Sequence, residues 1–177
     1  GAGGGWDGTA RGVGEALKKS GLVKETSFEN MSGGGGGKAI AYLIETAKKQ
    51  KNTLMVNSTP IVIRSLQGVF PQSFRDLTLV SAVVADYGVL VVKKDSKYNS
   101  WQDVKAAFDK SPRKVKIAGG SSRGSMDHLV AAQIFKAAGG NPTSVRYVPY
   151  DAGGKALAGL LTGEVDVLST GLGEVLE

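Results

Sequence analysis

Residues 114–129, KVKIAGGSSRGSMDHL, decide how this chain is read. Lys114–Ala118 is a short β-rich run. Gly119-Gly120-Ser121-Ser122-Arg123-Gly124-Ser125 is a loop of glycine and small hydroxyl residues around one arginine. A helix is expected from Met126 to Ala138, with Asp127 and His128 in its first turn. A strand, a small-residue loop and a helix, in that order, form the unit from which α/β folds with parallel sheets are built. Glycine lets the backbone approach a ligand closely. The start of a helix offers N–H groups without intrahelical partners and a partial positive charge, so such a junction favours a carboxylate or a phosphate.

The same pattern repeats outward in both directions. Downstream, Val145–Tyr147 predicts a strand, the loop Pro149-Tyr150-Asp151-Ala152-Gly153-Gly154 a turn able to close over a ligand, and the residues to Leu161 a helix. Thr162-Gly163-Glu164 then turns into a last strand, Val165–Ser169. Upstream, a helix over Ser100–Asp109 is capped by Ser100, with Asp103 placed as in a capping box. Gly88–Val92 and Thr78–Ala85 read as strands, and a lobe boundary falls near Asp86-Tyr87-Gly88. Further upstream, Thr53–Asn57 predicts a strand that ends at the loop Ser58-Thr59-Pro60, with a helix over Ile61–Leu66. Helices are expected over Ala39–Lys49 and Thr9–Lys19, and a short strand over Thr26–Glu29. The fold class is therefore α/β with mainly parallel sheets.

Composition narrows the chemistry. The chain has 177 residues, 41% hydrophobic and 21% charged, as in a globular protein. It has no cysteine, which removes disulfides, thiolate metal sites and a cysteine nucleophile, and its one histidine, His128, excludes a multi-histidine metal site. No apolar run is long enough to span a membrane. The net charge of +6 comes from dispersed lysines with no aromatic residues interleaved, so nucleic acid is not an expected partner. No serine stands in a G-x-S-x-G elbow, so no hydrolase triad is supported. No cofactor, catalytic residue or metal site is assigned.

The first junction, Gly3-Gly4-Gly5-Trp6-Asp7-Gly8-Thr9, contains G-x-G-x-x-G at Gly3, Gly5 and Gly8, and Glu29 ends the next expected strand. That is the dinucleotide fingerprint, and it makes a nucleotide-binding Rossmann-type enzyme the alternative reading. Against it, Trp6 and Asp7 inside the turn crowd and repel a pyrophosphate, and no strand precedes Gly3.

Taken in order, several segments resemble the receptors of tripartite tricarboxylate transporters, also called Bug receptors. They are Gly3 to Arg11, Asn30 to Gly37, Phe74 to Thr78, Val91 to Tyr98, Gly119 to His128, Val148-Pro149-Tyr150 and Leu160 to Val167. The resemblance implies a type II periplasmic-binding fold of two lobes, residues 1–87 and 88–177. The first lobe would lack its first strand and its C-terminal return, so the chain reads as truncated at both ends, with its signal peptide removed. It also implies no enzyme activity but the capture of a small di- or tricarboxylate, such as citrate, in an interlobe cleft in the periplasm. Membrane permease subunits are the expected partners, without direct membrane insertion. Trp6, Asp7, Ser58, Ser121, Ser122, Gly124 and Asp127 are carried over as cleft residues. Gly4, Gly5 and Gly120 allow close approach. Arg123 suits a carboxylate by its fork geometry, and Tyr150 lies on the third loop.

Overall fold

A computed structural model of the chain describes residues 1–176; Glu177, the last residue of the expected second lobe, lies outside them. The chain forms two compact units, one spanning Gly1–Val83 and the other starting at Val84.

The second unit is a four-stranded sheet: β1 (Gly88–Val91), β2 (Lys116–Gly119), β3 (Arg146–Pro149) and β4 (Val167–Gly171), in the order β1-β4-β2-β3. β2 runs parallel to both β3 and β4, whereas β1 is antiparallel to β4. The sheet is thus mixed but mostly parallel. The period of two along each strand divides the core between its faces. Ile117 and Val167 enter one cluster with Val104, Phe108, Phe135 and Tyr147, while their neighbours Ala118 and Leu168 enter another with Ala156 and Leu160. Helices α4 (Trp101–Lys110) and α5 (Met126–Ala137) supply the first cluster, and α6 (Gly153–Leu161) the second. Phe108 and Phe135 stack at 4.0 Å between ring centres. As expected, Ser100 caps α4: its Oγ accepts the Asp103 N–H at 3.2 Å. Asp103 reaches back to the Asn99 N–H at 2.8 Å, so the box closes one residue earlier than its usual form.

This topology positions the loops. The carboxyl ends of β2, β3 and β4 point the same way, so the segments after Gly119, Pro149 and Gly171 share one end of the sheet. Open α/β sheets bind ligands at that end.

The first unit is built from α1 (Gly5–Lys19), α2 (Gly37–Glu45) and α3 (Thr59–Leu66), with short 3-10 turns at Gly34–Gly36, Ala47–Lys49 and Phe74–Asp76. Ile40 and Ile61 are fully buried. Gly37 lies under Phe70 and Gly14 under Phe28, each too close for a side chain at the glycine.

Five expectations are corrected here. Residues 26–29, 53–57 and 78–85 form no strand among the described residues. A strand exists only through its partner's hydrogen bonds, and propensity alone supplies none. Leu54, Leu79 and Val80 are accordingly 60%, 77% and 78% exposed. The helix expected from Thr9 begins at Gly5, and the one expected over Ala39–Lys49 runs Gly37–Glu45 before a 3-10 turn. The early start of α1 follows from Asp7, which accepts the Gly3 N–H at 3.0 Å and so closes the first turn across two glycines.

Candidate functional site

In the first unit three helix starts meet around Trp6. The start of α1 is Gly4, that of α2 is Gly36, and that of α3 is Ser58. None of these residues makes a side-chain cap, in contrast to Ser100 on α4. The Trp6 indole donates to Ser58 Oγ at 2.7 Å, joining α1 to α3. Gly36 sits between them: a Cβ there would meet Ile61 Cγ2 at 2.9 Å and the Trp6 ring at 3.1 Å. Its φ of +99° is also one that side chains rarely adopt, so glycine is required twice over. Because Ser58 Oγ accepts from the indole, its own hydroxyl proton is left to donate to an acceptor. Helix starts gathered around one hydroxyl proton favour an anion.

Asp7 lies beside this cluster but bonds within its own unit. It accepts from the Gly3 N–H, from Arg11 Nε at 3.1 Å and from Asn30 Nδ2 at 3.1 Å. The Gly3 amide, then Arg11 and Asn30, hold its carboxyl down at about 2. Asp7 therefore stays ionised and locks the loop that carries Gly4, Gly5 and Trp6.

In the second unit the loop after β2 packs on the start of α6. Gly120 is against the Gly153 N–H and the Ala152 carbonyl carbon, and Gly119 against Tyr147 and Asp127, leaving no space for a side chain at either glycine. Asp127 bonds with the Ser121 hydroxyl at 2.9 Å, and the Asp127 N–H donates back to Ser121 Oγ at 3.0 Å. Burial pushes the Asp127 carboxyl up to about 6; Ser121 and the Gly120 and Ser121 amides oppose the rise, and the Glu174 charge adds to it. Tyr147 donates to the Ser121 carbonyl at 2.6 Å, and burial raises its hydroxyl above the usual tyrosine range.

The remaining residues singled out from the sequence fall as follows. Arg123 donates to the Tyr147 carbonyl at 2.7 Å. The Gly124 N–H donates to His128 Nδ1 at 3.0 Å, and burial together with Arg123 keeps that imidazole toward its neutral form. Ser122 accepts the Ser125 N–H through its carbonyl at 2.9 Å, tightening the loop. Tyr150 turns into the α6 side of the core, its ring against Gly159. Two contributors were not picked out from the sequence. Gly36 carries a signal only through its place in a glycine run, and Glu174 carries none. Among the described residues no strand ends at Glu29, and Gly8, the last glycine of the G-x-G-x-x-G pattern, lies inside α1.

The fold is that of periplasmic-binding-protein-like structures. Residues 9–176 match the profile of the tripartite tricarboxylate transporter family receptor, and the chain belongs to that family. A curated relative, the UPF0065 protein in the tcbD-tcbE intergenic region of Pseudomonas sp. (strain P51), is 28% identical over 168 residues, 94% of this chain and 48% of its own length. MatC from Rhodopseudomonas palustris, solved with bound malate, superposes with a TM-score of 0.69 at 16% identity, over 98% of this chain and 58% of that one. An R. palustris protein solved with adipate gives 0.67 at 21% identity, over 99% and 58%. The chain thus spans about half the length of the relatives it matches.

Proposed function

We propose that this chain is the solute-binding part of an extracytoplasmic receptor that captures a small di- or tricarboxylate between its two units. The receptor then delivers that ligand to the membrane permease subunits of a tripartite tricarboxylate transporter. The observation that carries the reading is the meeting of α1, α2 and α3 at Trp6 with no side-chain cap on any of them. Aligned peptide dipoles at such starts stabilise a carboxylate without a permanent positive charge, so binding stays reversible, as transport requires. Malate in MatC and adipate in the R. palustris protein support a carboxylate as the ligand class. The family supports the transporter as partner and the periplasm as location. Among the described residues no helix is long and apolar enough to cross a membrane. Recognition by dipoles and hydrogen bonds involves no covalent step, so the reading is of a binding protein and not of an enzyme.

A thermal-shift screen against di- and tricarboxylates, with NAD(H) beside them, tests this. A ligand at 100 times its Kd adds about 2.7 kcal/mol and raises Tm by roughly 5–10 °C at this size. Shifts with one or a few carboxylates are expected. A shift with NAD(H) alone contradicts the proposal and restores the nucleotide reading.

A further inference from the structure

His128 lies in the first turn of α5 and is the only histidine in the chain. Its ring stacks on Tyr147 of β3, with 4.7 Å between ring centres and 18° between the planes. Its Nδ1 accepts the Gly124 N–H at 3.0 Å, which places the proton of the neutral ring on Nε2. The loop after β2 is tied to the same tyrosine twice more. Arg123 donates to the Tyr147 carbonyl at 2.7 Å, and the Tyr147 hydroxyl donates to the Ser121 carbonyl at 2.6 Å. The imidazole is half-buried, so a proton from solvent can reach it.

We propose that His128 is a positioning residue that latches the tip of this loop, Arg123 and Gly124, to α5 and β3 only while its ring is neutral, which makes the loop acid-sensitive. A proton taken up from solvent at Nδ1 turns the ring into a cation with a donor on each nitrogen. The Gly124 N–H then faces a donor instead of an acceptor, and the imidazolium meets the Arg123 guanidinium as a like charge. The other titratable groups around the ring do not offset this. Tyr147 on β3 stays un-ionised, because burial raises its hydroxyl above the usual tyrosine range. Asp127, beside His128 on α5, turns its carboxyl to Ser121 and the loop amides. Burial, then Arg123, accordingly holds the imidazole below its ordinary value. A folded value below the unfolded one means that the contact stabilises the chain fully above about pH 6.5 and is lost as pH falls through the folded value. The Tyr147 bond to Ser121 does not involve the imidazole, so release is confined to the tip. The latch is a property of the loop and does not depend on what the loop binds.

An NMR titration of the chain from pH 7.5 to about pH 4.5 tests the latch. At pH 7.5 the imidazole nitrogen shifts of His128 are expected to show a bare Nδ1 and a protonated Nε2. As the ring titrates, backbone order parameters at Arg123 and Gly124 are expected to drop from about 0.85 to below about 0.6, while Ser121 stays ordered. The Gly124 amide shift should follow the same curve as His128 Hε1. Two variants separate His128 from its neighbour. His128→Asn puts a non-titrating carbonyl oxygen near the place of Nδ1 and is expected to keep the tip ordered throughout. Asp127→Asn removes the neighbouring group that titrates in the same range and is expected to leave the tip's transition on the His128 curve. A ring proton on Nδ1 at pH 7.5 overturns the latch, as does a wild-type tip that stays ordered while the ring titrates; neither result needs a variant. A transition lost in Asp127→Asn but kept in His128→Asn also overturns it, by assigning the switch to the aspartate. None of these outcomes touches the receptor reading, which the carboxylate screen tests separately.

Discussion

Asp127 sits where two demands meet. It holds the loop after β2 through the Gly120 and Ser121 amides, and burial beside Glu174 penalises its charge, so its carboxyl titrates at about 6. An unfolded aspartate titrates at about 3.9. Between those values the folded chain holds a proton that the unfolded chain has lost, so stability falls as pH rises from about 4 through about 6 and then levels off. Asp127→Asn removes this slope. Relative to wild type, the variant's Tm is expected to improve steadily between pH 4 and pH 6.5 and to change little above that. A Tm difference that stays flat across the range, in paired melts of the two proteins, would contradict the assignment. Asp127 was legible in the sequence as an acid in the first turn of a helix, and that position commonly marks a simple cap. Its bond to Ser121, six residues earlier in the chain, depends on how tightly the loop folds. Glu174 left no signal, because its place against Gly153 exists only once β4 lies beside β2.

At the scale of elements, the second unit was largely legible and the first was not. α4, α5, α6 and the four strands each have a local pattern that agrees with their tertiary role, and their expected bounds shifted by only a few residues. Phe135 on α5 shows the coupling: it stacks on Phe108 of α4 and lies 5.3 Å from the Trp101 ring, fully buried. Phe135→Ala is expected to cost about 3–5 kcal/mol, measured by urea unfolding, because it empties the space between two helices and the sheet. A loss below about 1 kcal/mol would mean that the cluster does not hold the unit together. The runs at 53–57 and 78–85, the second of which crosses from the first unit into the second, have the composition of strands, yet a strand is a property of a pair. Their apolar side chains remain exposed where no partner lies alongside. α1 was missed at its start for a different reason. Glycine costs about 1 kcal/mol in a helix, so Gly5 and Gly8 argue against one locally. The Asp7 bond to Gly3, the Trp6 bond to Ser58 and the packing of Gly36 outweigh that cost.

For the molecule as a whole, the order of the motifs along the chain said more than any single motif. G-x-G-x-x-G alone points to a nucleotide; followed by the loop at 119–125 and the run Leu160–Val167, it points to the family that the chain belongs to. How differently the two loops hold their acids, Asp7 in one and Asp127 in the other, was invisible, because both loops read as anion-binding from glycine and serine content. Only the contacts of Asp127 and Glu174 distinguish them. The most direct test of the central claim is an amide chemical-shift titration of the chain with malate. The largest shifts are expected at the starts of α1, α2 and α3 (Gly5 to Asp7, Gly37, Thr59) and at Gly120 to Gly124. Lys93 to Lys97 should stay still, since they follow β1, which is antiparallel to β4, and so lie at the other end of the second unit's sheet. Shifts confined to Lys93–Lys97, or none at saturating malate and citrate, would contradict the account.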